Sequence, residues 1–253
     1  MALAQAVRGL RGVRRQGAGF ATLAAMNYCF APPATPSLPI SGSNERFPVR
    51  RIFCIGRNYA EHAREMGAKV ELGTPMFFCK PNDALVSDGA PVPYPSMTHE
   101  LHHEVEMVVA LAAGGSNVPP ERATTLVFGY GVGLDLTRRD LQSQLKAKGH
   151  PWDIAKGFDH SAPVSALCRT TDAVPRGDTV LKLSVNGSAR QQATLGEMMH
   201  SVAHIIAALS TLFELKPGDL IFTGTPAGVA ALERGDQLHA EVAGIATLDT
   251  RII

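Results

Sequence analysis

Residues 104–111 read EVEMVVAL, and this stretch decides the fold. Glu104 and Glu106 fall on one face of an extended strand together with Val108 and Ala110, and every residue between them is apolar. Strict alternation with period two predicts a β-strand. Because the neighbouring residues are apolar, we expect the acid-bearing face to lie against protein rather than in open solvent.

The two glutamates predict a metal site. Two carboxylates on one face repel each other, and burial makes that repulsion worse. A divalent cation would relieve both problems, and oxygen ligands suit Mg²⁺, Mn²⁺ or Ca²⁺ better than zinc. Asp135 ends a predicted strand and is placed to complete the set. The alternative is an edge strand whose acids are solvated, which would show the same alternation.

Two adjacent histidines, His102 and His103, precede the acids. Neighbouring residues of a strand point to opposite faces, so both cannot join one cluster. We expect at least one of them to stabilise the acidic site by contacts to its residues without binding the metal itself.

The surrounding pattern predicts an α+β domain with an extensive mixed sheet, because short strands dominate and no βαβ series is present. Asn186-Gly187 predicts a tight hairpin turn, and Thr137 is expected to cap a helix that ends at Gly149. Strands are predicted at 51–56, 76–80, 104–111, 126–136, 181–185, 189–193, 219–223, 236–243 and 245–252, and helices at 58–66, 119–125, 137–149 and 197–213.

The composition is that of an ordinary soluble enzyme. Of 253 residues, 45% are apolar and 19% charged, and the net charge of +1 gives no global attraction to nucleic acid or a membrane surface. No apolar run approaches the roughly 20 residues needed to cross a bilayer. The four cysteines form no C-x-x-C pair, which predicts reduced thiols in an intracellular protein.

The first 25 residues differ from the rest, because they contain four arginines and no acid. They fit either a mitochondrial transit peptide or translation from an upstream start codon, with Met26 as the true start; we favour the second. Residues 1–25 are thus predicted to be a disordered extension, 26–47 an extended lead-in and 48–253 the catalytic domain. The predicted compartment is the cytoplasm, or the mitochondrial matrix if the extension is a transit peptide.

Five segments resemble one known family, the fumarylacetoacetate hydrolase superfamily. They are GRNYAEHAREM at 56–66, HHEVE at 102–106, LDLTRRDLQ at 134–142, WDIAKGFD at 152–159 and TGTPAGV at 223–229. All five occur in the family's order and spacing, and the resemblance covers about residues 48–252. Within the family the chain is most similar to fumarylpyruvate hydrolases, and acylpyruvases are near neighbours.

The resemblance implies a mixed β-sheet roll with a few flanking helices, a homodimer, a small diketo-acid substrate, and no nucleic-acid or membrane partner. It implies that Glu104, Glu106 and Asp135 bind one Mg²⁺ or Mn²⁺. It also implies catalytic roles for His62, Glu65 and Lys156, and substrate contacts from Arg57, Arg139, Gln142 and Thr225.

The implied reaction is hydrolysis of a carbon–carbon bond in a 2,4-diketo acid, with fumarylpyruvate giving fumarate and pyruvate. His62 and Glu65 are three residues apart, so on a helix they share a face and can act as a water-activating pair. Arg139 is suited to clamp a substrate carboxylate, and the segment 57–74 is expected to order over the substrate. The alternatives are an acylpyruvase, oxaloacetate decarboxylase or hydroxy-dienoate isomerase, and a binding module that has lost catalysis.

Overall fold

The computed structural model describes residues 27–67, residue 70 and residues 73–253. The predictions for residues 1–25, and part of the segment 57–74, lie outside these residues. Thr35–Ile253 forms one compact unit. Within the predicted lead-in, Ser37–Pro39 pairs with Arg46–Pro48. The boundary at residue 48 stays a prediction.

The described residues contain short strands and few helices. The strands are β1 (Ser37–Pro39), β2 (Arg46–Pro48), β3 (Arg51–Gly56), β4 (Met76–Lys80), β5 (Leu85–Val86), β6 (Leu101–His102), β7 (Val105–Leu111), β8 (Val127–Leu134), β9 (Thr137–Arg138), β10 (Ala162–Pro163), β11 (Cys168–Arg169), β12 (Val180–Val185), β13 (Ser188–Thr194), β14 (Asp219–Phe222), β15 (Gln237–Val242) and β16 (Ala246–Arg251). The α-helices are α1 (Ala60–Glu65), α2 (Pro120–Ala123), α3 (Arg139–Lys148), α4 (Asp153–Lys156) and α5 (Val202–Leu212), with 3₁₀ turns at Asn82–Ala84, Thr124–Leu126 and Leu195–Glu197.

The larger sheet has the strand order β11-β8-β7-β14-β3-β4. Strand β14 runs parallel to β3 and antiparallel to β7, so the sheet is mixed, as predicted. Strands β7 and β8 pair antiparallel with Val105 opposite Leu134. One position beyond that pair, the Asp135 N–H donates to the Glu104 carbonyl at 2.8 Å. The pairing of β7 with β8 therefore brings the predicted acids to one end of the sheet.

The second sheet is antiparallel, with the order β13-β12-β15-β16. Its hairpin turns at Asn186 and Gly187, which both have positive φ, 52° and 76°, as a type I′ turn requires. The predicted hairpin and the α+β class are confirmed.

Strand β7 is an interior strand, and each of its residues is buried. Val105 and Met107 pack in the core cluster that includes residues of the second sheet, whereas Val108 and Ala110 pack in a second cluster on the opposite face. The alternation seen in the sequence therefore separates two cores. The alternative of an edge strand with solvated acids is wrong.

The predicted cap of helix α3 is wrong. Thr137 lies in β9, and Arg138 precedes the helix without a side-chain cap. The Thr137 hydroxyl instead contacts the Asp135 carbonyl oxygen at 3.1 Å and Lys156 Nζ at 2.7 Å, so long-range contacts outweigh the local capping pattern. The end of the helix is as predicted, with Gly149 in the left-handed conformation at φ 66°.

The predicted helix 197–213 is shorter in the structure. A 3₁₀ turn occupies Leu195–Glu197, and α5 begins after Ser201, whose hydroxyl accepts the N–H of His204 at 3.3 Å. Within the described residues, no helix is long and apolar enough to cross a membrane.

Candidate active site

Three carboxylates meet where β7 begins and β8 ends. Glu104 directly precedes β7, Glu106 lies within it, and Asp135 directly follows β8. All three side chains are buried, and one oxygen of each lies within 4.8 Å of the others. The structure therefore brings together the three residues predicted as metal ligands.

Three cations surround the acids. Lys156 Nζ donates to Glu104 Oε2 at 2.8 Å and to Asp135 Oδ2 at 2.6 Å. Arg139 donates to the other oxygen of Glu104. Lys80 Nζ lies 2.8 Å from Asp135 Oδ1. The predicted catalytic lysine is thus in direct contact with two of the predicted ligands.

The sequence analysis missed Lys80, although its side chain is fully buried. Lys80 ends the strand β4, and its ammonium also donates to the Leu136 carbonyl at 3.1 Å. The sequence contained one indication of this role. Lys80 ends an otherwise apolar strand and precedes Pro81, and a lysine in such a strand is rarely buried unless it is paired with an acid.

Glu106 has the least compensated charge of the three acids. Burial, together with the charges of Asp135 and Glu104, raises its pKa well above the usual value. Burial opposes ionisation of Glu104 too, but the charges of Lys156 and Arg139 hold its pKa below the usual range. A further positive charge at the cluster would favour the ionised form of Glu106 and lower its pKa.

Asp135 shows that the residues fit a cation. Its Oδ1 atom is buried and has no well-directed hydrogen bond among the described residues, although Lys80 lies nearby. An oxygen with an available lone pair, beside two further carboxylates, is a donor set that suits a hard divalent cation.

His62 and Glu65 lie on helix α1, and His62 lines the cleft that contains the acids. His62 is buried, and its Nδ1 lies 3.2 Å from Glu65 Oε2. The other oxygen of Glu65 accepts the N–H of Gly228 at 3.0 Å. The carboxylate is therefore held from the opposite side and can orient the imidazole.

The predicted substrate contacts line one cleft with the acids. Arg57, Arg139, Gln142 and Thr225 all face it, together with His62, the three acids and Lys156. Glu65 lies behind His62 rather than on the wall. Arg57 has φ 59°, a conformation uncommon for a residue with a side chain. Arg139 also donates to Gln142 and, at 3.4 Å, to His102, so that histidine supports the site through Arg139.

The loop after β14 is fixed against the acids. The Gly224 N–H donates to Glu106 Oε2 at 2.6 Å. Asn58 donates to the Thr223 carbonyl at 2.8 Å and is fully buried. A Cβ on Gly224 would lie 2.6 Å from the Asn58 Cβ, so a side chain is excluded there. The helix α1 begins at Ala60, two residues after the predicted start at Asn58.

Gln191 is a second residue that the sequence analysis missed. It lies on β13 of the second sheet and is 1% exposed. Its Oε1 accepts the Val105 N–H at 3.1 Å and lies 2.8 Å from His103 Nδ1, and its Nε2 donates at 2.8 Å to the Thr225 hydroxyl and to the Pro226 carbonyl. It joins the strand that carries the acids to the loop that carries Thr225.

Residues 51–253 match the family model described as the fumarylacetoacetate (FAA) hydrolase C-terminal domain. The chain belongs to the fumarylacetoacetate hydrolase family. The match covers every residue predicted to act at the site, and the family assignment made from the five motifs is confirmed.

Two relatives in the fumarylacetoacetate hydrolase family are named oxaloacetate tautomerases. An oxaloacetate tautomerase of Escherichia coli (strain K12) is 42% identical over 82% of this chain and 94% of its own length. A mitochondrial oxaloacetate tautomerase of Rattus norvegicus is 41% identical over 80% of this chain and 91% of its own.

Solved structures of the family show the same fold. The fumarylpyruvate hydrolase of Pseudomonas aeruginosa, in complex with Mn²⁺ and pyruvate, superposes with a TM-score of 0.87, at 46% identity over 90% of this chain and 99% of its own. A 5-carboxymethyl-2-hydroxymuconate delta-isomerase of Mycobacterium smegmatis gives 0.72, at 34% identity over 82% and 80%.

Proposed function

We propose that the protein is a metal-dependent hydrolase that cleaves fumarylpyruvate, a 2,4-diketo acid, to fumarate and pyruvate. The observation that carries the proposal is the meeting of a buried three-carboxylate cluster and a His62–Glu65 pair at one cleft. The similarity to the hydrolase of P. aeruginosa supports this substrate.

Glu104, Glu106 and Asp135 would hold one Mg²⁺ or Mn²⁺. The donor set consists of carboxylate oxygens alone, whereas zinc prefers sulfur and nitrogen ligands. The Mn²⁺ and pyruvate in the structure of the P. aeruginosa relative support this choice. When bound, the cation would supply a Lewis acid for the 2-oxo acid end of the substrate.

His62 acts as general base in this mechanism. A neutral imidazole takes a proton from water, and the hydroxyl adds to the 4-carbonyl carbon. Glu65 fixes the orientation of the ring, since Gly228 holds that carboxylate from behind. The bond between carbons 3 and 4 then breaks. Its electron pair leaves with the pyruvate fragment as an enolate, and protonated His62 returns the proton to carbon 3, which gives pyruvate and regenerates the base. Fumarate departs with the added oxygen as a carboxylic acid that ionises in water.

The carbanion left on the pyruvate fragment is stable enough to form only as an enolate. Cations in the cleft therefore raise the rate of bond cleavage by stabilising the negative charge of that enolate. Lys156 carries a buried ammonium at the acids and stabilises negative charge that develops beside it. Arg57, Gln142 and Thr225 line the cleft and orient the substrate. Arg139 is engaged with Glu104, so it contributes charge at the acid site as well as a contact to the substrate carboxylate.

Oxaloacetate tautomerisation is a second candidate, because the curated relatives at 42% and 41% identity carry that name. Tautomerisation moves a proton between carbon 3 and the 2-oxo oxygen and requires no attacking water. Acylpyruvase, oxaloacetate decarboxylase and hydroxy-dienoate isomerase activities would use the same cluster. The His62–Glu65 pair favours hydrolysis over decarboxylation, because decarboxylation requires no attacking water. Tautomerisation also requires a base, so its products distinguish it from hydrolysis.

The deciding experiment compares fumarylpyruvate, acetylpyruvate and oxaloacetate by loss of the ultraviolet enol band, with chromatographic identification of products. Each is run with Mg²⁺, with Mn²⁺ and with excess EDTA. Metal-dependent release of fumarate and pyruvate, faster than any other reaction in the panel, is the expected result. Faster interconversion of oxaloacetate tautomers, without bond cleavage, would overturn the hydrolase assignment.

The assembly and the compartment stay predictions. A homodimer and a cytoplasmic location are proposed here, with the mitochondrial matrix as the alternative if residues 1–25 are a transit peptide.

A further inference from the structure

Helix α3 presents a row of three polar side chains to the cleft. Arg139, Gln142 and Lys146 all line it, and their spacing of three and four residues places them on one helix face. Arg139 lies at the inner end, where it contacts Glu104, whereas Lys146 is exposed at the outer end. Seven residues of helix correspond to about 10 Å, so the row runs from the acids toward the mouth.

Lys146 reaches across the mouth to helix α1. Its Nζ lies 3.4 Å from the carbonyl oxygen of Met66, which also lines the cleft. The N–H of Met66 donates to the carbonyl of His62 at 3.0 Å, so Met66 is one helical turn beyond the proposed base. Lys146 therefore contacts the chain about one helical turn, about 5–6 Å along the helix axis, from His62.

We infer that Lys146 binds a second carboxylate at the far end of the acyl group and thereby selects acylpyruvates whose acyl group is itself an acid. The inference rests on the proposed function. In fumarylpyruvate the terminal carboxylate carbon is three bonds, roughly 4 Å, beyond the carbonyl that water attacks. An ammonium one helical turn from the base is within hydrogen-bonding reach of that carboxylate.

The other candidate substrates have no carboxylate at the position that Lys146 can reach. Acetylpyruvate has a methyl group where the fumaryl chain begins, so it presents no anion to Lys146. Oxaloacetate has its second carboxylate directly after the methylene carbon, too close to the acids to reach the mouth. Lys146 therefore discriminates by the length of the substrate as well as by its charge.

The contact with Met66 leaves Lys146 able to bind an anion. An ammonium has three donors, and a contact of 3.4 Å to a carbonyl is a weak use of one of them. A carboxylate is the stronger acceptor because its hydrogen bond is charge-assisted. Lys148 is on the same helix, is also exposed and does not line the cleft, so it serves as a matched control.

The test measures kcat and KM of the full-length metal-loaded enzyme for fumarylpyruvate and for acetylpyruvate in the variants K146Q, K146R and K148Q. For K146Q we expect KM for fumarylpyruvate to rise about tenfold with little change in kcat, as for loss of a partly exposed charged hydrogen bond. K146R should recover most of the loss, and K148Q should match the wild type. The constants for acetylpyruvate should change less than about twofold in K146Q, since the lost bond does not involve that substrate.

Equal losses on both substrates in K146Q, or equal losses in K146Q and K148Q, would overturn the inference and leave the proposed function standing. A wild-type enzyme that cleaves neither substrate would overturn the proposed function, and the inference would fall with it. A rise in KM confined to fumarylpyruvate and reversed in K146R supports both.

Discussion

Lys80 Nζ lies 2.8 Å from Oδ1 of Asp135, and the two side chains are 0% and 1% exposed. Both charges have been removed from water, which costs free energy that their mutual attraction must offset. Removal of Lys80 would leave the three buried carboxylates with only two of their three neighbouring cations, Lys156 and Arg139, in the metal-free protein. The pair therefore sets a stability requirement at the point where the proposed metal ligands meet.

We expect Lys80→Met to lower the free energy of unfolding by about 3–5 kcal/mol, the range for breaking a buried ion pair from one side. Urea unfolding of the metal-free protein measures it. Lys182→Met is the control, because Lys182 pairs with Glu241 at the same 2.8 Å but is 46% exposed. That change should cost less than about 1 kcal/mol. Equal losses in the two variants would show that the buried pair has no special role.

Glu106 provides the test of metal binding. In wild-type protein, Mn²⁺ at a hundred times its dissociation constant should stabilise the fold by about 2.7 kcal/mol. Glu106→Gln should abolish that gain, since one of three carboxylates is lost. In EDTA the variant should be at least as stable as the wild type, because carboxylates within 4.8 Å of one another repel.

Thermal unfolding with Mn²⁺ and with EDTA, together with calorimetric titration, gives both quantities. Asp178→Asn is the matched control, because this acid is 82% exposed and distant in sequence from the cluster. Undiminished Mn²⁺ affinity in Glu106→Gln would exclude the three-carboxylate site.

His62 should be required for turnover but not for the metal. We expect His62→Asn to lower kcat for fumarylpyruvate about 10²- to 10⁴-fold, the usual contribution of a general base. The Mn²⁺ dissociation constant should stay the same, since His62 is not one of the three acids. Glu65→Gln should reduce kcat less, because it weakens only the orientation of the ring.

Steady-state kinetics and calorimetry on the same preparations separate these effects. His204→Asn, an exposed histidine on α5, is the control and should keep wild-type kcat. A His62 variant with unchanged kcat would remove this residue from the chemistry and favour a reaction without an attacking water.

Local patterns predicted the parts of the fold that depend on neighbouring residues. The strand β7 and the Asn186-Gly187 turn could be predicted from the sequence, because the face of a strand and the type of a tight turn depend on only a few neighbouring residues. Thr137 shows the limit. Its sequence context suits a helix cap, but its hydroxyl is held by Lys156, which lies on a different helix.

The residues that the sequence did not reveal act over long separations. Lys80 meets Asp135 where β4 packs against α4, and Gln191 meets Val105 from a different sheet. Neither contact leaves a periodic or spaced signature in the chain. The alternation around Glu104 and Glu106 and the strand end at Asp135 predicted the acids, and the family motifs supplied the His62–Glu65 pair. The side chains that hold these groups in place could be identified only in the structure.

Gln191 supports the acid-bearing strand and the Thr225 loop at once, which makes it a positioning residue. Gln191→Leu keeps a similar volume but leaves the Val105 N–H and the Thr225 hydroxyl without their partner. Each buried group left unsatisfied costs about 1–3 kcal/mol, so the variant should lose several kcal/mol of stability. Because Thr225 faces the cleft, KM for fumarylpyruvate should rise as well.

Gln192→Leu is the matched control, since Gln192 is the next residue of the same strand and faces solvent. It should change neither quantity. Gln191→Glu distinguishes positioning from bulk packing, because it keeps the acceptor for Val105 but loses the donor to Thr225. If Gln191 positions Thr225, the glutamate variant raises KM while retaining part of the stability. If both variants lose stability equally with KM unchanged, the residue serves the fold alone and Thr225 is held by other contacts.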